Sequence, residues 1–265
     1  HQMKNLTKSI MKDMTEDGIA LFHLGDAMHA QRTSCKIEAY NTARDLFLLS
    51  PIPVFVTPGD NDWNDCPEPD VSWGRWSRNL MRLDENIKYE GHNVPIQRQK
   101  RYEENFEILH NGILIICTNL VAGSVLDEGV WDKRIENNVK FTTDLVKAYK
   151  GQYRGIILLG HSVRNGYMKG VYTGLKNIRE PVLYIHGDGH NWEVKQPFKE
   201  DGWDNFWDIQ VDQGGHAPPI KLTFRGLDHE APLVVENEHQ FLFGDMFLID
   251  RRGGLYPHAL RKASD

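Results

Sequence analysis

Four apolar runs, each closed by a short loop of glycine with aspartate, asparagine or histidine, constrain the fold of this 265-residue chain more than any other feature. Residues 19–24 lead into Gly25-Asp26, residues 52–57 into Pro58-Gly59-Asp60-Asn61-Asp62, residues 155–159 into Gly160-His161-Ser162, and residues 182–185 into His186-Gly187-Asp188-Gly189-His190. Apolar runs of this length, bounded by glycine and proline, read as buried strands. Between them lie amphipathic stretches of helical period. Leu6, Ile10, Met11 and Met14 mark a first helix closed by Gly18, and residues 37–49 and 131–149 read as two more. A Trp-rich amphipathic segment covers residues 71–87, and further strands are expected at 106–109 and 113–118. Beyond Trp192 the pattern changes: alternation in residues 207–211 and 220–224 predicts strands with one face in solvent. The expectation is one α/β domain over residues 1–265, with stacked mixed sheets flanked by helices and with C-terminal strands and a tail in 193–265.

In such a layered sheet, ligands bind beyond the carboxyl ends of the strands, where loops from several strands converge. Taken singly, Gly-Asp after a strand reads as a turn, Asp60-Asn61-Asp62 as an Asx turn, His161 as a core histidine and His190 as a surface residue. Together they place carboxylates and imidazoles at four matching positions, and these are the donor types that zinc, iron and manganese use. A metal also fits the charge. The net charge of −6 and pI near 6.1 give no general attraction to nucleic-acid phosphates or anionic lipid, so an anionic substrate needs a local positive field. The longest apolar runs, residues 112–117 and 156–159, fall far short of the roughly 20 residues that span a bilayer. Three cysteines without C-x-x-C spacing make neither a disulfide scaffold nor a structural zinc site. The opening residues lack the apolar core of a signal peptide, although a mature secreted chain would look the same.

The order Gly-Asp, Pro-Gly-Asp-Asn-Asp-Trp, Gly-His, Gly-Asp-Gly-His resembles the calcineurin-like metallophosphoesterases, in particular a bacterial-type branch with G-D-N-E-W and H-G-D-x-H blocks. Residues 59–63 and 186–190 carry those two blocks, Thr118-Asn119-Leu120-Val121-Ala122-Gly123-Ser124 is similar as well, and the resemblance runs from about Gly18 to Trp192. It implies the calcineurin-like fold, with a binuclear centre at strand ends that hydrolyses a phosphate mono- or diester by a metal-bound hydroxide. Asp26 would bridge two metals, Asp60 would stand where the family has Asn, and His161, Asp188 and His190 would complete the ligands. Asn61 falls where the family's catalytic histidine assists the leaving group. The extra carboxylates at 60 and 188 favour manganese or magnesium over zinc, with iron also open.

Three departures accompany the resemblance. The family's opening D-x-H block has no clear counterpart, since His1 reads as a loop residue as readily as its last member, and without that Asp one metal lacks a ligand. Asn61 carries no proton to give a leaving group. His29 stands where the family has Asp. Cys35 and Cys66 follow two site loops, where a disulfide would brace them, two buried thiols being the alternative. A disulfide and the Asn5 sequon would fit a secreted or extracytoplasmic setting. Cys117 reads as core, and the Trp73, Trp76, Trp203 and Trp207 positions as packing or as the wall of a cleft. The expected partner is a small phosphate ester, with no nucleic-acid patch and with the oligomeric state open. Two rivals stand: a non-catalytic relative that binds or assembles, and an α/β serine hydrolase built on Ser162. The second lacks the glycine of G-x-S-x-G, because position 164 is Arg.

Overall fold

The computed structural model describes residues 18–28, 35–86, 94–122, 127–227 and 231–257. The expected helix over 6–14, His1, the Asn5 sequon, His29 and the Gly123-Ser124 end of the resembling segment lie outside them. The largest element is a seven-stranded mixed sheet in the order β3-β4-β5-β6-β7-β9-β8. Its strands are β3 (Ile96–Arg98), β4 (Phe106–His110), β5 (Ile113–Cys117), β6 (Gly155–Leu159), β7 (Val182–His186), β8 (Glu193–Lys195) and β9 (Phe206–Gln210). Strands β5, β6, β7 and β9 run parallel, so their carboxyl ends share one edge. β1 (Leu21–His23) and β2 (Val54–Val56) form a separate parallel pair, and β10 (Lys221–Phe224), β12 (Phe247–Asp250) and β11 (Gln240–Phe243) an antiparallel sheet.

Alternation along the central strands divides the core into layers. Leu114, Ile116, Ile156, Leu158, Val182 and Tyr184 face the helices α3 (Glu128–Ala148) and α4 (Asn165–Leu175), meeting Val146, Tyr167, Val171 and Leu175. The odd-numbered neighbours Ile113, Ile115, Ile157, Leu159, Leu183 and Ile185 face the other way, onto Phe55 of β2 and Phe243, Phe247 and Ile249 of the antiparallel sheet. Val54 and Val56 then turn outward to Tyr40, Ala43 and Phe47 of α1 (Ile37–Phe47) and Trp76 of α2 (Pro69–Asn79). The result is mixed sheets flanked by helices, as expected. Among the described residues no helix is long and apolar enough to cross a membrane.

Two differences from the sequence reading have physical causes. The strand expected at 207–211 with a solvent face is β9, an interior strand between β7 and β8 with Phe206, Asp208 and Ile209 buried. Its polar position is not solvated, because the Asp208 carboxylate lies 2.9 Å from His186 inside the sheet. The sequence pattern predicts no helix at α4, since glycine at 166, 170 and 174 lowers helix propensity. Those glycines form one stripe against α3: a Cβ at Gly170 would stand 2.5 Å from Val139, and one at Gly174 2.6 Å from Thr143. Close packing of the two helices thus overrides the local cost. The tryptophans also separate: Trp73 stacks on Trp76 and meets Trp63 edge-on, whereas Trp203 packs on Phe198 and Phe206, and Trp207 on Phe243.

Candidate metal centre

The carboxyl ends of β1, β2, β6 and β7 meet at His161. It follows β6, is almost fully buried, and places Nε2 3.2 Å from Asp60 Oδ1, 3.4 Å from Asp26 Oδ1 and 3.6 Å from Asp188 Oδ1. Its Nδ1 lies 2.7 Å from the Leu24 carbonyl oxygen, which can only accept, so Nδ1 carries a proton, and Nε2, facing the carboxylates, holds a second proton in the metal-free cluster and offers a lone pair where a cation takes that proton's place. That second contact fixes ring and tautomer, as in metal-ligating histidines. Donor atoms of Asp26, Asp60 and His161 all lie within 4.8 Å of one another, close enough for one cation.

Local backbone conformation explains how the carboxylates arrive. Asp26 follows Gly25 with φ 57°, a left-handed conformation that Asp tolerates better than most residues. Gly59 has no alternative, because a Cβ there would sit 2.2 Å from both the backbone nitrogen and Oδ1 of Asp26. Residues Asp60–Asn64 form one π-helical turn, a distortion frequent at functional sites. Asp62, fully buried, accepts hydrogen bonds from the backbone N–H groups of Asp26, Met28 and Gly59 at 3.0, 2.8 and 2.8 Å, clamping the β1 and β2 loops together. Asn61 donates from Nδ2 to Asp26 Oδ2 at 2.7 Å, and from its backbone to Asp60 Oδ1 at 3.0 Å and Asp26 Oδ1 at 3.2 Å. The disulfide Cys35–Cys66, of the two arrangements considered, is the one present, and it ties the end of this turn to the start of α1. Such a bond fits an oxidising compartment. Cys117 is a buried free thiol.

The last loop is built more loosely. Asp188 reaches His161 and accepts from Ser162 Oγ at 3.2 Å, and the backbone N–H groups of Gly187 and Asp188 donate to the His161 carbonyl. His190 is exposed, with φ 63°, and does not join the converging donors. Ser162 gives its hydroxyl to a carboxylate and not to an imidazole, which is not the arrangement of a nucleophilic serine. The sequence pattern gives Asp62 no role beyond an Asx turn, although an acid three residues after a loop-opening glycine is the spacing that reaches back to the first backbone N–H.

The electrostatics describe a cluster short of positive charge. Burial pushes the Asp26 carboxyl up to about 7, with the charges of Asp62 and Asp60 adding to it against the pull of His161. Burial raises Asp62 too. Asp60 feels burial first, but its hydrogen bond and charge interaction with His161 outweigh it and hold the carboxyl low. The hydrogen bond from His161 holds Asp188 low. Burial works against a charged His161, yet the carboxylates of Asp188, Asp60 and Asp26 raise its pKa well above the usual range. A proton there takes the place of a cation, and one proton cannot neutralise three carboxylates. Behind the cluster, burial and the His161 charge lower His23 to about 4, a neutral ring packed edge-on to Phe47. The donor set, its charge and the fixed tautomer all fit a divalent metal.

No protein-family model and no curated protein matches this chain. Among solved structures it is similar to GAP50, the anchor in the inner membrane complex of Plasmodium, with a TM-score of 0.49 and 13% identity over 82% of this chain and 68% of that one. It is also similar to TT1561 of Thermus thermophilus, with a TM-score of 0.45 and 12% identity over 82% and 85% of the two chains.

Proposed function

We propose that the chain is a metal-dependent phosphoesterase in which Asp26, Asp60 and His161 hold a divalent cation, and in which Asp26 with Asp188 and His190 would serve a second one. The observation that carries this reading is the convergence of Asp26, Asp60 and His161 at strand ends, with His161 Nδ1 pinned to Leu24 and Nε2 turned to the carboxylates. The order of loop motifs, similar to that of calcineurin-like metallophosphoesterases, supports it. Bound cations would supply Lewis acidity for the phosphoryl oxygens and lower the pKa of a coordinated water.

The chain's own residues set the rest. Asn61 holds Asp26 through the side-chain bond to Oδ2 and a longer backbone bond to Oδ1, which makes it a positioning residue. Ser162 does the same for Asp188. An amide cannot protonate a departing alkoxide, so esters with low-pKa leaving groups should turn over fastest.

The test is hydrolysis of 4-nitrophenyl phosphate and bis(4-nitrophenyl) phosphate by manganese- or zinc-loaded protein, with elemental analysis, beside Asp26→Asn. Asn is chosen over Ala because it tolerates the left-handed backbone at this position. Metal-dependent turnover lost in Asp26→Asn supports the reading and shows which ester class is preferred. Stoichiometric metal without turnover establishes instead a metal-binding protein that does not catalyse. Protein that takes up no metal sinks the site.

A further inference from the structure

Beside the metal triad opens a cavity of about 270 Å³, bounded by Ser162, His186, Asp188, Glu193, Lys195 and Asp208 among others. Asp188 links the two, since Oδ1 faces His161 of the triad and Oδ2 accepts from Ser162 of the cavity wall. A phosphoryl group at the triad therefore has this cavity as a neighbouring space for the rest of the ester. Its floor is unusual for the interior of a sheet. His186 and Asp208, on the adjacent strands β7 and β9, are buried with Nε2 2.9 Å from Oδ1, a contact without hydrogen-bond geometry, and His186 Nδ1 and Asp208 Oδ1 find no hydrogen-bond partner. Buried polar groups left this way call for an explanation, and a binding role is one.

The lining states what the cavity accepts. At about 30 Å³ per water it has room for a small alcohol of several heavy atoms. No Phe, Tyr or Trp contributes to the wall, so a base has no large ring to stack on. Besides Asp188, which the proposed function gives to a cation, the carboxylates of Glu193 and Asp208 stand against the single ammonium of Lys195, which already lies 2.6 Å from Glu193. A second anion placed here would meet like charge on several sides.

Building on the phosphoesterase reading, we propose that this cavity seats the alcohol portion of the substrate and selects small, hydrogen-bonding alcohols that are neutral or cationic over those bearing a carboxylate. Two matched pairs of esters test it: glycerol 3-phosphate against 3-phosphoglycerate, and O-phosphoethanolamine against O-phosphoserine. Each pair differs by one carboxylate and little else. The metal-loaded protein should favour the first member of each pair by about tenfold or more in kcat/KM, a difference of roughly 1.4 kcal/mol. Glu193→Gln, at an exposed position where folding is not at risk, should narrow both ratios, and Asp208→Asn should narrow them further. Equal use of both members, or ratios that Glu193→Gln leaves untouched, overturns the proposal while the phosphoesterase reading stands. If none of the four esters turns over, the phosphoesterase reading is judged by the nitrophenyl esters alone, because aliphatic alkoxides are the poorer leaving groups. The subsite is then judged by calorimetric binding of the same four compounds, where tighter binding of the first members upholds it and equal binding overturns it.

Discussion

Asp60 and Asp188 both reach His161, yet the loops that carry them have little else in common. The loop after β2 is fixed from several directions: the Asp62 clamp on three backbone N–H groups, the glycine-only approach at Gly59, the Asn61 bonds to Asp26 and Asp60, and the disulfide behind the turn. The loop after β7 is held to His161 by backbone bonds and then opens to solvent at Gly189 and His190. The first half of the cluster is preorganised, and the second half is open to solvent beside the neighbouring cavity. Preorganised ligands on rigid elements and an open face for substrate are the two requirements of a catalytic metal site.

The difference is best broken at Asp62. Asp62→Ala leaves three inward N–H groups without an acceptor, which at about 1–3 kcal/mol each predicts a loss on the order of 4 kcal/mol, read as a drop in the denaturant midpoint. Metal uptake should fall with it, because the β1 and β2 loops lose their tie. A loss under about 1 kcal/mol would mean that the carboxylate merely accompanies a loop held elsewhere. The disulfide should rank next. Its closing of a loop with separation 31 is worth about 3 to 4 kcal/mol in the chain-entropy account. Cys35→Ser with Cys66→Ser should lower the midpoint by up to that amount and weaken metal binding, whereas unchanged metal affinity would show that Asp62 and Asn61 suffice.

These two features also mark what could be read in the sequence. Asp26, Asp60 and His161 are legible as candidates because each stands in the short glycine loop that closes an apolar run, so strand ends alone bring them together. Asp62 was not assigned a role because its partners are backbone groups, two of them on another loop, and backbone donors leave no trace in residue identity. Strand β9 reads as a surface strand because Asp208 mimics an outward polar position, whereas it is buried against His186. Helix α4 was hidden by glycines that only the closeness of α3 justifies. His190 sits where the resemblance puts a ligand, but its loop has left it in solvent. Local pattern reported strands and their ends; what depends on two distant segments meeting stayed out of reach.

Acidity sharpens the contrast on a smaller scale. Asp26, raised from 3.8 to about 7 chiefly by burial, binds its proton more tightly folded than unfolded. Its contribution to stability is therefore full below about 4 and is lost as pH rises through about 7. His161, also raised, adds a loss of the same sign at higher pH. Metal-free protein should melt at a lower temperature near pH 8 than near pH 5.5, and added manganese should reverse the order, since ionised Asp26 and unprotonated His161 are the forms that bind. A metal-induced rise in melting temperature that does not grow with pH would place the cation away from this cluster.

The smallest structural effect is expected at His190, and its value lies in that smallness. An exposed side chain outside the converging donors should tolerate His190→Ala within about 0.5 kcal/mol of stability, so any functional loss cannot be charged to folding. Two metals bound by the parent and one by the variant would show that the open loop closes on the second cation and supplies a ligand it does not present in this structure. Equal stoichiometry with equal turnover would confine the centre to the rigid half and leave the β7 loop to the substrate alone. Either result assigns the open face a function, and the rigid half, carrying Asp26, Asp60 and His161, is the same in both.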